Sequence, residues 1–429
     1  MDQSHTRTLL MIARWFPPDT GVGCFRPLRF CRDLPAMGWQ CKVVALAEPC
    51  CTYPKASFLA AIPEETEVIR FHCGNLAGHM ERIAESPATG AIRTFCAKAV
   101  RRTLQEIRMP DIHVWSLRRL FKAIRKTLQQ RSIDAILITA PPFSWMTLTE
   151  KIKTVCDVPV ILDFRDPWTS NVHLYHGRRG RWSHRAERRT LRAADAAIFN
   201  TPGAMEYYVE TYSNLDQSHW TVITNGFVKE QIDAVEPERL DRTTLVHGGP
   251  VGGGMRAGMV CMLVDAMGKL KAAGKITPAT FRFISYGDWP ANVAAAAREC
   301  GVAEMIEFRG SRSHNDVLAS LKGAAGLLLM LDDLHPRHAP AKMYEYLYLG
   351  SEKPILMIGP ADSDAARILQ QTGAGMTVGA TVESIIEGLE TVLTGRSSAN
   401  INTQAVMAYE SKALSRKLAD LLDAVISRD

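Results

Sequence analysis

The stretch 326–359, GLLLMLDDLHPRHAPAKMYEYLYLGSEKPILMIG, constrains the fold more than any other part of the chain. Its two apolar runs, 327–331 and 354–358, are continuous rather than alternating, which is the pattern of parallel strands buried on both faces. Between them, Pro340 suits the first turn of a helix and Gly350 suits its end. Two parallel strands need such a crossover, and a ligand at their carboxyl ends meets the loop and the helix that follow. That helix carries Lys342 and Glu345 one turn apart on one face.

The same alternation recurs along the chain. Short β-rich runs are expected at 8–13, 42–47, 68–71, 135–139, 160–164, 196–200 and 221–224, with helical patterns around 24–37, 112–130, 144–155 and 182–193. A second series of strands is expected at 244–247, 281–286, 306–308, 327–331, 355–358 and 376–378. The charged segment 227–242 follows the Asn225-Gly226 turn signal and contains Pro237, which places a link there. The predicted fold class is therefore α/β, with two Rossmann-like doubly wound domains facing a cleft, at 1–226 and 243–402, and a final helical segment at 403–429. At 429 residues, each domain has enough chain for its own core.

Charge is distributed unevenly. The net charge is +6, yet 93–131 holds eleven Lys or Arg against Glu106 and Asp111, and 178–192 holds seven Arg against Glu187. A positive region so confined points to an anionic surface or substrate rather than general stickiness. Aromatic residues are not interleaved through these runs, which argues against nucleic acid. The helical pattern at 117–128 sets Leu117, Leu120, Phe121, Ile124 and Leu128 on one face and Arg118, Arg119, Lys122, Arg125 and Lys126 elsewhere. It fits either a helix packed on a sheet or a peripheral contact with an anionic membrane, and Trp182 among the arginines adds to the second reading. No apolar run reaches the length of a membrane span, and 7–13 reads as a first strand rather than a signal peptide. The expectation is a cytoplasmic protein whose ten scattered cysteines stay reduced.

Four places carry candidate chemistry. Lys342 sits in a first helical turn, where the helix dipole disfavours a cation and an anion such as a diphosphate relieves the conflict. Glu345 can accept two hydrogen bonds from the vicinal hydroxyls of a ribose, although a solvated Lys/Glu pair has the same spacing. After the first strand, Gly21 and Gly23 let the backbone approach a ligand ahead of a helix, or simply make a tight turn; Arg26 stands where a dinucleotide fingerprint needs its third glycine. The strand at 160–164 leads into Arg165, Asp166, Pro167 and Trp168, so Arg165 and Asp166 are candidates for catalysis, or for a structural ion pair. In the second half, Gly249 and Gly252 to Gly254 can surround a diphosphate with amide groups while Arg256 adds charge; a flexible loop with an exposed arginine reads the same way.

The segment 340–355 resembles the donor-binding element of the family-4-like GT-B glycosyltransferases, whose form P-x-K-x-x-E-Y-L-x-x-G-x-P-I is met by Pro340, Lys342, Glu345, Tyr346, Leu347, Gly350, Pro354 and Ile355, with two extra residues before the last proline. The loop at Gly21 and Gly23 is similar to their P-P-x-x-G-G element. The R-D-x-W ending puts Arg165 where other relatives have histidine, and Arg337 stands where many carry a second acid. The resemblance implies that Gly249, Arg256 and Lys342 hold the donor diphosphate, Glu345 the ribose, and the backbone near Gly310 the base. It further implies a last helix that returns to the first domain, and transfer of a sugar from a nucleotide diphosphate sugar to a saccharide or lipid-linked acceptor, with retention and without a cofactor or metal. Asp362-Ser363-Asp364 matches a metal-binding D-x-D but reads as a helix N-cap, and His335 and His338 lack companions for a metal set. A nucleotide-sugar isomerase and a non-catalytic docking module remain open alternatives, the second because of Arg337.

Overall fold

The computed structural model describes residues 6–74, 110–170, 177–250, 255–287, 291–333, 336–395 and 401–427. The stretch 93–109 of the first basic run, Gly252 to Gly254 and His335 lie outside the described residues.

Two parallel sheets organise the chain, each within its own compact unit: Met1–Thr224 with Ser411–Asp429, and Asn225–Glu410. In the first unit, β1 (Arg7–Ala13), β2 (Trp39–Leu46), β3 (Glu67–Phe71), β4 (Ala135–Ala140), β5 (Val160–Phe164), β6 (Ala196–Phe199) and β7 (Trp220–Val222) lie in the order β3-β2-β1-β4-β5-β6-β7. The chain winds outward from β1 through β3, then restarts at β4 on the other side, so the winding reverses between β1 and β4. In the second unit, β8 (Thr243–His247), β9 (Phe281–Ser285), β10 (Ile306–Phe308), β11 (Gly326–Met330), β12 (Ile355–Ile358) and β13 (Gly375–Val378) take the order β10-β9-β8-β11-β12-β13, and the reversal falls between β8 and β11. Doubly wound sheets bind ligands outside the strand ends at these reversals. The α/β fold class read from the sequence is the observed one.

The continuous apolar runs follow from burial on both faces. Leu10 and Ile12 of β1 enter one core with Leu120 and Ile124, whereas Leu9, Met11 and Ala13 enter another with Leu414, Leu418 and Leu422. Because side chains alternate across a strand, a sheet covered on both sides needs an apolar residue at every position. In β11, Leu327 and Leu329 face one core and Leu328 and Met330 the other.

The last helix, Ser411–Ile426, packs in the first unit: Ser411 and Ser415 donate to Asp33, and Asp423 accepts from the Trp39 indole at 2.8 Å. Residues 227–242 lie within the second unit, where Phe227 and Ile232 are buried in its core and the short helix Lys229–Asp233 forms. The amphipathic helix Leu117–Gln130 buries Leu120 and Ile124 under the first sheet and exposes Arg118, Arg119, Lys122, Arg125 and Lys126. Among the described residues, no helix is long and apolar enough to cross a membrane.

Candidate functional site

In the second unit the chemistry gathers where the winding reverses. β8 and β11 share only two register pairs, Gly326 with Leu245 and Leu327 with Val246. Just beyond them, at the end of β8, the buried ring of His247 takes over: its Nδ1 lies 2.9 Å from the Leu328 carbonyl oxygen. A carbonyl only accepts, so Nδ1 carries the hydrogen and Nε2 presents a lone pair. Lys342 Nζ stands 3.2 Å from that nitrogen and is its donor. Burial, together with Lys342, pushes the His247 pKa down to about 3, so the ring is neutral at ordinary pH. Burial and the nearby Arg256 push Lys342 down to about 8.

Helix Ala341–Leu349 places Lys342 in its first turn, with Pro340 at the N-cap. The glycine after β8 makes room for the lysine. Gly249 has φ +137°, a backbone angle that favours glycine, and a Cβ there would lie 2.9 Å from Lys342 Nζ. One residue earlier, the Gly248 amide donates to the Tyr346 hydroxyl at 2.7 Å, tying the loop to the same helix. Arg256 pairs with Asp332 at 3.0 Å, with about a third of its side chain exposed. Glu345, one turn beyond Lys342, accepts from His314 Nε2 at 2.9 Å. Gly310 closes the loop cluster: its carbonyl accepts from the Gly287 amide at 2.9 Å. Gly249, Lys342 and Arg256 thus come together, Glu345 lies on the same helix with a histidine partner, and Gly310 enters through backbone contacts.

The first unit's strand ends are organised differently. Arg165, buried at the end of β5, spreads its guanidinium over three backbone carbonyls: Gly23 at 2.7 Å, Pro141 at 3.0 Å and Ala140 at 3.2 Å. Burial holds its pKa below the usual arginine range. Gly21 and Gly23 fold over Trp15, and a Cβ on Gly23 would sit 2.8 Å from that indole and 2.5 Å from the Arg165 guanidinium. Asp166 follows half-buried. The loop beyond it is braced by the buried Glu187, which accepts from the Tyr208 hydroxyl at 2.5 Å, the Tyr212 hydroxyl at 2.6 Å, and Thr169. Burial raises the Glu187 pKa. Arg26 makes a bidentate pair with Asp163 at 2.7 and 3.0 Å and donates to the carbonyls of Ile223 and Thr224.

Sequence reasoning missed His247, His314 and Glu187 as functional or bracing residues. His247 had one available signal, its position between a strand and a glycine pair, and His314 had another, the Ser313/Asp316 capping box that starts its helix. Ser363 caps the helix Asp364–Thr372, accepting from the Ala366 amide at 3.2 Å. Among the described residues, no three His, Cys, Asp or Glu side chains are grouped as a metal site would require.

This architecture defines a class. The fold is the GT-B arrangement of solved glycosyltransferases and their structural kin. Sucrose-phosphate synthase from Thermosynechococcus elongatus superposes with a TM-score of 0.67 at 12% identity, covering 99% of this chain and 100% of that one. A lipopolysaccharide outer core galactosyltransferase gives a TM-score of 0.58 at 13% identity, over 97% and 99%. A UDP-N-acetylglucosamine 2-epimerase homologue from Listeria monocytogenes gives 0.55 at 12% identity, over 98% and 97%. Identities this low speak for the fold alone. Residues 26–226, a little under half of the chain, match the model of the glycosyl transferase 4-like domain. No curated protein matches the sequence.

Proposed function

We propose that the protein moves a glycosyl unit, with retention, from a nucleotide diphosphate sugar to a saccharide or lipid-linked acceptor of the cell envelope. One observation carries the donor half of this reading: a lysine at the reversal of the second sheet, faced by a neutral imidazole and crowded by Gly249 and Arg256. Breaking the donor's glycosidic bond builds negative charge on the leaving diphosphate, and fixed cations and amides stabilise that charge without reorganising. Lys342, Arg256 and the amides near Gly249 fill this role, Glu345 holds the ribose, and backbone near Gly310 borders the base. Arg165 and Asp166 serve the acceptor side, with Asp166 orienting a sugar hydroxyl. In this reading the protein's own cations do the work that a metal ion does elsewhere.

The acceptor half rests on charge. Helix Leu117–Gln130 carries five exposed cations and no acid, and Arg181, Arg185, Arg188 and Arg192 are exposed on Gly177–Ala193. A surface of this kind suits the anionic cytoplasmic leaflet, where lipid-linked acceptors are reached. Incubation with UDP-, GDP- and ADP-sugars and a membrane extract tests the whole proposal: released nucleotide together with a labelled lipid or saccharide is the expected outcome. Neither product from folded protein refutes it. Because an epimerase shares the fold over 98% of this chain, release of a changed free sugar without acceptor labelling identifies isomerisation instead.

A further inference from the structure

We infer that His247 is a positioning residue that aims the Lys342 ammonium at the bound diphosphate, an inference that rests on the donor reading above. The geometry is directional. The Leu328 carbonyl accepts from Nδ1, the Pro250 carbonyl also borders the buried ring, and Nζ at 3.2 Å is the neighbour that donates to Nε2, so the lone pair there points toward the lysine. An ammonium has three hydrogens at tetrahedral angles. Anchoring one of them sets the directions of the other two, and the absent Cβ of Gly249 leaves space beside the nitrogen.

The partner's neutrality matters as much as its place. A carboxylate at position 247 would cancel the lysine's charge and compete with the anion, whereas an imidazole orients the ammonium and leaves its charge available. The charged groups around the pair are Arg256 on helix Met255–Ala272, its partner Asp332 after β11, and Glu345, which is engaged by His314. Arg256 and burial lower Lys342 to about 8, and His247 titrates near 3, so the histidine remains an acceptor throughout the range in which the lysine changes charge. Binding an anion restores the proton, so nucleotide uptake at and above the lysine's midpoint consumes a proton.

The test is calorimetric titration with UDP, GDP and ADP from below to above that midpoint, on wild type, His247→Phe, His247→Gln and Lys342→Met. Wild-type affinity is expected to fall about tenfold per pH unit above the midpoint, with one proton taken up, as read from buffers of different ionisation enthalpy. His247→Phe is expected to lose about tenfold below the midpoint, and its break should move to lower pH, since burial then acts without a compensating acceptor. Glutamine can donate to Leu328 and accept from Lys342, so His247→Gln should recover most of both. Phenylalanine leaving affinity and break unchanged, while Lys342→Met loses affinity, overturns the inference and keeps the donor reading. If Lys342→Met also binds as wild type does, both fall. Should the phenylalanine variant not fold, His247→Leu takes its place, and a leucine variant that keeps the wild-type affinity and break while Lys342→Met loses affinity overturns the inference in the same way.

Discussion

The two sheets end in opposite kinds of cation. At the first, Arg14 and Arg26 are buried against carboxylates: Arg14 pairs with Asp19 at 3.0 Å, and Arg26 grips Asp163, which also accepts from Thr139. At the second, Lys342 is held by a neutral ring, while Arg256 pairs with Asp332 but keeps about a third of its side chain exposed. A buried cation with a carboxylate and well-formed hydrogen bonds is spent on architecture, because any ligand must compete with an internal counter-charge. A cation steadied by a neutral acceptor retains its field. The difference separates a brace from a site, and it depends on the partner's charge and on burial rather than on the identity of the cation. Arg165 lies between the two, since its hydrogen bonds go to uncharged carbonyls while Asp163 and Asp166 stand near enough to favour its charge.

The comparison can be broken by mutation. The largest effect is expected from Asp163→Ala, which strands Arg26 in the first core without its bidentate partner; urea unfolding should show a loss of about 3–5 kcal/mol. Leu418→Ala, in the helix Ser411–Ile426, should cost about 3 kcal/mol by the same measurement, through lost burial plus the cavity left behind. Lys342→Met should behave in the reverse sense. It is expected to leave stability level or raised, while weakening nucleoside diphosphate binding by about 1.5–3 kcal/mol, the worth of a charge-assisted hydrogen bond. If that variant unfolds as readily as Asp163→Ala, the distinction between brace and site is wrong. Arg256→Ala should give the smallest change, under about 1 kcal/mol in stability, since its pair with Asp332 is partly solvated.

A pH experiment sharpens the same contrast. Lys342 has a folded pKa of about 8, below its unfolded value, so between these values the unfolded chain binds more protons and the lysine's contribution to stability rises with pH. Below about pH 8 both forms are charged and the burial penalty is fully present. Wild type minus Lys342→Met, followed by unfolding across that window, should therefore climb with pH while nucleotide affinity falls. A difference that stays flat would show that the lysine is not desolvated.

Much of the framework was legible in the sequence. β5, β10 and β12 match their expected bounds residue for residue, and the remaining strands differ by a few residues at their ends; in the central strands continuous hydrophobicity is what burial on both faces imposes. Residues 227–242 look like a connector by composition, yet Phe227 and Ile232 take part in a core. Apolar residues scattered among charges give no periodic signal of that. Position at a strand's carboxyl end marked Arg165, Gly249 and Lys342, since the topology of a doubly wound sheet makes that edge the chemical one. Which of them would be spent internally was not written in their spacing. Arg165 meets Gly23, Ala140 and Pro141 from 142, 25 and 24 residues away, and Lys342 meets His247 across 95.

The sequence by itself therefore determined the alternation of strands and helices, the two doubly wound sheets and the edge of each on which charged side chains gather, because these follow from local periodicity and burial. Only the tertiary structure decided the partners: a carboxylate for Arg26, carbonyls for Arg165, a neutral imidazole for Lys342. Hydrogen bonds and charge act through space over a few ångströms, and the residues that close those gaps come from segments far apart along the chain.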